Sequence, residues 1–135
     1  MRHNKSSEDY METILLLSRK LPVVRSIDIA TELNFSKPSV SVAMKNLREN
    51  DCIVVSQAGF ITLTEKGMQI ATSIYERHEV LSNWLISLGV DSETATADAC
   101  EMEHQISDES FQAMKKFIEE HSVSANNHKK EKTAE

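Results

Sequence analysis

The sequence has few of the residues that interrupt helices. Only 3 glycines and 2 prolines occur among 135 residues. Because these two residue types mark most turns and loops, their scarcity predicts a mainly helical protein with short connections. Hydrophobic residues make up 40% and charged residues 27% of the chain, which is typical of a globular protein. The length suits one compact core or two very small domains that share an interface.

The chain also lacks long apolar runs and a cysteine framework. The longest apolar run, Ile14 to Leu17, is far too short to cross a bilayer, and the polar stretch up to Asp9 does not resemble a secretion signal. We therefore expect a cytoplasmic protein with no membrane partner. The two cysteines, Cys52 and Cys100, are far apart in the sequence. In a reducing compartment such cysteines are more often free thiols or metal ligands than a disulfide.

The net charge of −6 is distributed unevenly along the chain. Residues 1–64 carry 8 Lys and Arg against 7 Asp and Glu, whereas residues 65–135 carry 7 against 14. The acidity therefore belongs to the second half, and the first half retains a charge that is compatible with binding to DNA.

The order of predicted elements in residues 1–64 is that of a winged helix-turn-helix. A helix begins in "SSED" and ends near Arg19, and a short helix capped by Ser26 follows. A third helix has Pro38 in its first turn. The stretch "CIVVSQAGFITLT" then consists of two β-branched runs around a turn, which predicts a hairpin, or wing.

The sequence pattern of residues 65–121 predicts a helical domain. A long helix follows Thr64 and ends before Gly89, a second contains "DACEMEHQIS", and a third is capped by Ser107. The polar segment 122–135 has almost nothing to bury, and we expect it to be disordered. The predicted fold class is mainly α, with a winged helix-turn-helix domain at 1–64 and a helical domain at 65–121.

The third helix has the pattern of a DNA-reading helix. Its apolar residues recur at the spacing of one helical face that we expect to be buried, so that the opposite face is free to enter the major groove; they are Val40, Ala43, Met44 and Leu47. Short polar side chains near its start would contact bases or phosphates, and basic residues would neutralise phosphates. A solvated helix face would show a similar pattern. The candidate DNA-binding residues are Arg25, Lys37, Pro38, Ser39, Ser41, Val42 and Lys45.

A cluster of metal-binding side chains occurs after residue 64. On a helix, Cys100, Glu103 and His104 are separated by three and four residues, which places all three on one face. His78 lies on a helix that we expect to pack against this one, and the first helix carries two further acids, Asp9 and Glu12. Mixed nitrogen, oxygen and sulfur donors suit Fe²⁺, Mn²⁺, Co²⁺ or Zn²⁺. Taken singly, each residue also has an ordinary structural role.

Other functions are compatible with parts of this pattern. The protein could be a winged-helix regulator in which Cys100 senses a redox signal or a small molecule, or a metal-buffering protein with no role on DNA. Catalysis is disfavoured, because Cys100 and His104 on one helix have poor geometry for a nucleophile and its base. No glycine motif for an oxyanion hole accompanies them. We therefore expect neither an enzyme nor a small organic substrate.

Three stretches, "SEDYMETI", "YERHEVLSNWLISLGV" and "DACEMEHQISDES", resemble the DtxR/MntR family of iron- and manganese-dependent transcriptional repressors. The resemblance implies a homodimer whose metal-binding and dimerisation domain follows the winged helix. It also implies that the dimer, when loaded with Fe²⁺ or Mn²⁺, binds inverted-repeat operator DNA and controls genes of metal homeostasis. The family's metal-ligand positions correspond to Asp9, Glu12, His78, Cys100, Glu103 and His104.

The resemblance combines features of two branches of the family. Asp9 and Glu12 match the manganese type, whereas Cys100 matches the iron type. Ser82 and Thr96 occupy positions where iron-type members have ligands for an ancillary second site. We expect a short form that lacks the C-terminal SH3-like domain of iron-type members.

Overall fold

The computed structural model describes the backbone of residues 4–133 and the side chains of residues 4–121. The chain divides into two compact units, Met1–Glu76 and Arg77–Glu135. Together the described residues form α1 (Lys5–Lys20), α2 (Ser26–Leu33), α3 (Lys37–Glu49), β1 (Ile53–Val55), β2 (Ile61–Leu63), α4 (Glu65–Ser87), α5 (Ser92–Met102) and α6 (Asp108–Thr133).

The first two helices begin at residues that differ from the predicted ones. Asn4 accepts a hydrogen bond of 2.7 Å from the backbone N–H of Ser7, so α1 starts before the serines of "SSED". The prediction that Ser26 caps α2 is wrong, because Ser26 is already helical. The Asp28 carboxylate instead accepts a bond of 2.8 Å from the backbone N–H of Arg25, which is the capping residue.

The third helix follows its sequence pattern closely. Ser36 caps α3 by accepting a hydrogen bond from the backbone N–H of Ser39, and Pro38 lies in the first turn, where no intrahelical donor is needed. Val40, Met44 and Leu47 are buried in the core of the first unit, as the apolar spacing predicts. The opposite face of α3 is thereby directed away from this core.

The two strands form the wing. They pair antiparallel, with Ile53 opposite Leu63, and the backbone N–H of Ile61 donates a hydrogen bond of 2.8 Å to the carbonyl of Val24. This bond ties the wing to the segment that precedes α2. Ile53 and Ile61 are buried with residues of the first three helices, so the wing shares their core.

The boundary between the two compact units falls inside α4. Ala71 is fully buried in the first core, and Tyr75 packs against that core. The first turns of α4 therefore pack with the winged-helix unit, and the domain boundary after residue 64 stays a prediction. The helix ends at Ser87, and Gly89 follows it with a φ of 98°, the position predicted for it.

The second unit has its own small core, made of residues from three helices. Leu81 of α4, Ala99 of α5 and Phe111 of α6 are almost fully buried together. Ser107 caps α6, as predicted, by accepting a 3.1 Å hydrogen bond from the backbone N–H of Ser110. These contacts set the positions of the helices that carry the candidate metal ligands.

The backbone of α6 extends to Thr133 and so includes most of the 122–135 segment that the sequence predicts to be disordered. The side chains of this segment lie outside the described residues, and the prediction about the tail stays a prediction. Within the described part of the chain, no helix has the length and apolar character needed to cross a membrane.

Candidate metal centre

Two helices of the second unit position a histidine and a cysteine. His78 lies one turn before Leu81 on α4, and Cys100 directly follows Ala99 on α5. Leu81 and Ala99 are both fully buried in the core of this unit. The imidazole of His78 and the thiol of Cys100 therefore lie beside this core, with Nδ1 and Sγ 3.7 Å apart.

Glu103 and His104 are not on the helix that the sequence predicts for them. α5 ends at Met102, Glu103 is its capping residue and His104 lies in the following turn. The backbone N–H of Glu103 still donates to the carbonyl of Ala99, at 3.0 Å, so Glu103 keeps a helical position. Glu103 therefore still lies on the same face as Cys100, as expected, although α5 has ended.

The donor atoms of this cluster lie close together. His78 Nδ1 is 3.0 Å from Glu103 Oε2 and 3.7 Å from Cys100 Sγ. The other carboxylate oxygen of Glu103, Oε1, is 3.3 Å from His104 Nε2. One nitrogen, one sulfur and one oxygen, from His78, Cys100 and Glu103, all lie within 4.8 Å of one another. We call these three residues together with His104 the donor cluster.

The donor cluster fits a divalent cation. The side chains of Glu103 and His104 are only 2% and 1% exposed. A carboxylate this deeply buried is costly unless an opposite charge compensates it. A divalent transition metal would supply that charge, and nitrogen, thiolate and carboxylate donors are the ligand types that such ions prefer.

An arginine that the sequence analysis did not single out holds the turn after α5. Arg77 Nη1 donates to the carbonyl oxygens of Glu103 and Ile106, at 3.1 and 2.8 Å. Its side chain is 12% exposed, and its guanidinium lies over the ring of Phe111, 5.3 Å from the centroid. The only signal in the sequence is its place beside His78, which does not by itself predict these contacts.

Two hydroxyl residues replace ligands that the resemblance associates with a second site. Ser82 Oγ donates to the carbonyl of His78 at 2.6 Å, and Thr96 Oγ1 donates to the carbonyl of Ser92 at 2.8 Å. Because both hydroxyls are bonded to the main chain of their own helices, they serve local structure.

The remaining two candidate ligands belong to the first unit. Asp9 and Glu12 are both half-buried and lie about one turn apart on α1. The hydroxyl of Thr13 donates to the carbonyl of Asp9 at 2.8 Å, a bond within the helix. The participation of Asp9 and Glu12 in the metal site stays a prediction.

The predicted DNA-binding residues are all exposed on the first unit, and Val42 has 61% of its surface exposed. A groove of about 490 Å³ runs along this face of α3. Arg25 lies over the ring of Phe60 in the wing, 4.9 Å from its centroid, a contact absent from the sequence-based interpretation. The groove is lined by Ser6, Tyr10, Pro38, Ser39, Val42, Ala43 and Asn46.

Comparison with known protein families identifies both halves of the chain. Residues 4–59 match the iron-dependent repressor N-terminal DNA-binding domain. Residues 64–132 match the iron-dependent repressor metal-binding and dimerisation domain. The chain belongs to the iron-dependent repressor family. The resemblance inferred from its motifs is thereby confirmed, as is the predicted fold class of a winged helix-turn-helix followed by a helical domain.

Individual members of the family are similar over most of this chain. The transcriptional regulator MntR of Escherichia coli O157:H7 is 35% identical over 114 residues, which are 84% of this chain and 74% of that protein. An uncharacterised helix-turn-helix regulator of Methanocaldococcus jannaschii is 33% identical over 86% of this chain and 94% of its own length. The structure of the manganese regulator SloR has a TM-score of 0.75 and 29% identity, covering 88% of this chain. The chain spans 55% of the SloR chain.

Proposed function

We propose that this member of the iron-dependent repressor family is a metal-responsive transcriptional repressor, which binds operator DNA as a homodimer when loaded with Fe²⁺ or Mn²⁺. The observation that carries the proposal is the donor cluster, which lies in the part of the chain that matches the family's metal-binding domain. The same chain carries a winged helix with an exposed reading face. We place its action in the cytoplasm, on genes of metal homeostasis.

The DNA-binding half supports this role by its shape and charge. The exposed face of α3 begins with short side chains, including Ser39, which allow the backbone to approach base edges in the major groove. Lys37, Lys45 and Arg25 are exposed and can neutralise phosphates. A two-fold symmetric dimer presents two such helices, and its operator is therefore an inverted repeat with half-sites about one helical turn or a multiple apart.

The donor cluster, completed by Asp9 and Glu12, would hold the metal. When bound, the metal would supply positive charge to a set of buried and half-buried carboxylates. Asp9 and Glu12 belong to the DNA-binding half of the sequence, and the other four donors to the second half. A shared ion would therefore couple metal binding to the arrangement of the reading helices. Coupling of this kind is typically worth about 1–3 kcal/mol.

The donors favour more than one metal. Manganese is indicated by the name of the relative SloR, a manganese regulator, and by the hard carboxylate donors Asp9 and Glu12. The Cys100 thiol is a softer donor that favours Fe²⁺, and Co²⁺ or Zn²⁺ as substitutes. We therefore propose Fe²⁺ or Mn²⁺ as the corepressor.

The direct test is a DNA-binding titration on a fragment from the protein's own promoter region. Protein treated with a chelator is compared with protein that receives Fe²⁺, Mn²⁺, Co²⁺ or Zn²⁺, at one fixed salt concentration. We expect at least one of these metals to tighten binding by about 5–150-fold, the range given by the coupling above. Equally tight binding by the chelator-treated protein would refute the corepressor role.

Variants at two histidines test the site itself. His104→Ala removes a buried donor and should abolish the metal response while leaving the helical content unchanged. His121→Ala is the matched control, because His121 is an exposed histidine of α6 outside the donor cluster. An undiminished metal response in the His104 variant excludes this histidine as a ligand and with it the proposed site.

The same measurements separate the two other functions. A redox sensor acting through Cys100 would ignore the chelator and lose DNA binding after peroxide treatment. A metal-buffering protein would bind the ion without any change in DNA affinity. The family assignment favours neither.

A further inference from the structure

We propose that Arg77 is a positioning residue for the metal centre. On this proposal, its guanidinium holds the turn that carries Glu103 and His104 at the distance from α4 that metal binding needs. The inference rests on the proposed function and extends it to a residue that is not a ligand. It follows from how Arg77 is buried, which atoms it binds and where it lies in the sequence.

The contacts of Arg77 converge on one turn. Nη1 bonds the carbonyl oxygens of Glu103 and Ile106, which flank His104, at 3.1 and 2.8 Å. Nη2 lies 3.6 Å from Asp108, whose side chain is 74% exposed. The ring of Phe111, 2% exposed, lies against the guanidinium. Among the described residues, Nε has no hydrogen-bond partner, so Nη1 makes the orienting bonds.

One of the two bound carbonyls, that of Glu103, is a group that the end of α5 leaves without a partner, and the other, that of Ile106, lies in the turn that follows. Glu103 is the C-cap of α5, and the last carbonyls of a helix have no intrahelical donor. A cation at a helix C-terminus also interacts favourably with the helix dipole. Arg77 satisfies both requirements, and by bonding two carbonyls at once it fixes the path of the chain between them.

We call the two hydrogen bonds from Arg77 to the turn the clamp. The clamp is relevant to metal binding because Arg77 is the neighbour of His78. Arg77 and His78 are adjacent on α4, so the residue that holds the turn is directly linked to the first donor of the cluster. The 3.0 Å separation between His78 Nδ1 and Glu103 Oε2 depends on how closely the turn approaches α4. Loss of the clamp would therefore misplace Glu103 and His104, while Cys100, inside α5, would keep its position.

The test compares Arg77→Met with the wild-type protein in a Co²⁺ titration followed by absorption spectroscopy. Methionine keeps much of the side chain's bulk against Phe111 but removes the donors. We expect the affinity for Co²⁺ to fall by about 10–100-fold, the usual effect of removing a group that orients metal ligands. We also expect the ligand-field bands to shift while the thiolate-to-cobalt charge-transfer band from Cys100 remains.

Two control variants isolate this effect. Asp108→Asn removes only the exposed ion pair of Arg77. Arg19→Met removes an arginine of the first unit that also lies over an aromatic ring, 5.1 Å from the centroid of Tyr75. Both controls should bind Co²⁺ with the wild-type affinity and spectrum.

The outcomes are distinguishable. Wild-type affinity in Arg77→Met overturns the proposal, as does weaker binding with unshifted ligand-field bands, because the latter indicates an effect on stability alone. If the methionine variant does not fold, Arg77→Lys decides. Lysine keeps the charge but loses the planar guanidinium that lies over the Phe111 ring and orients Nη1, so it should also weaken and shift the Co²⁺ signal, and a wild-type result refutes the positioning role. If the wild-type protein binds none of Co²⁺, Fe²⁺, Mn²⁺ and Zn²⁺, the proposed function fails instead.

Discussion

A single methyl group added at Gly67 should destabilise the winged-helix unit. Gly67 lies in the first turn of α4, where the helix passes directly over the backbone of Cys52. An ideal Cβ at this position would overlap the Cys52 carbonyl oxygen and lie 3.0 Å from its carbonyl carbon. These atoms cannot move aside easily, because Cys52 is 1% exposed and directly precedes β1.

The size of the effect follows from the contacts that the added methyl group would disrupt. Thr64 N–H donates to the Cys52 carbonyl at 3.0 Å, and Thr64 Oγ1 donates to the Asp51 carbonyl at 2.6 Å. Losing both bonds costs about 2 kcal/mol, and overpacking costs about 1–3 kcal/mol. Alanine's higher helix propensity offsets about 1 kcal/mol. The free energy of unfolding should therefore fall by about 2–4 kcal/mol in Gly67→Ala.

Urea denaturation followed by far-ultraviolet circular dichroism measures this change. Gly59→Ala is the matched control in the same unit, because Gly59 has a φ of 85° but open space where a Cβ would lie, with no described atom within 4 Å. Gly59→Ala should lower the free energy of unfolding by only about 1–2 kcal/mol, because the sole penalty is that alanine must adopt a left-handed backbone conformation. If Gly67→Ala is neutral or more stable than the wild type, helix propensity outweighs the contact and the steric reasoning is wrong.

Three further variants test other parts of the molecule. Cys100→Ser should weaken Zn²⁺ and Co²⁺ binding more than Mn²⁺ binding in chelator competition, since it removes the only soft donor of the cluster; equal losses for all three ions would contradict this. Lys45→Ala should weaken DNA binding equally for all sequences and lower the slope of log binding constant against log salt concentration by about 1. Titrations at several salt concentrations measure this slope, and an unchanged slope would exclude a phosphate contact. Ser36→Ala removes the cap of α3 and should lower the free energy of unfolding by about 1 kcal/mol in urea, whereas no change would show that the cap is dispensable.

The parts of the fold that depend on local patterns could be predicted from the sequence. The apolar spacing on α3 identified Val40, Met44 and Leu47 as core residues, and the capping residue Ser107 marked the start of α6. Helix periodicity and capping involve neighbours a few residues apart, so the sequence contains the relevant information. The cap of α2 was missed because the carboxylate of Asp28, three residues after the capping residue Arg25, makes the capping bond in place of the expected serine, Ser26.

The candidate site was also predicted only in part, because local spacing is visible in the sequence and long-range contacts are not. The spacing of Cys100, Glu103 and His104 predicted their common face, and all three do lie with His78 in the donor cluster. The spacing did not predict that α5 would end before Glu103. That end coincides with carbonyls bonded by Arg77, which is 26 and 29 residues away in the sequence. A long-range contact of this kind leaves no periodic signal.

The sequence by itself therefore determined the order of the elements, the buried and exposed faces of α3 and the residue types of the donor cluster, because each depends on side chains a few positions apart. Only the tertiary structure decided which residues hold those donors in place. It showed Arg77 bound to the turn after α5, and Gly67 in a position with no room for a side chain. Both depend on segments that meet only when the chain has folded.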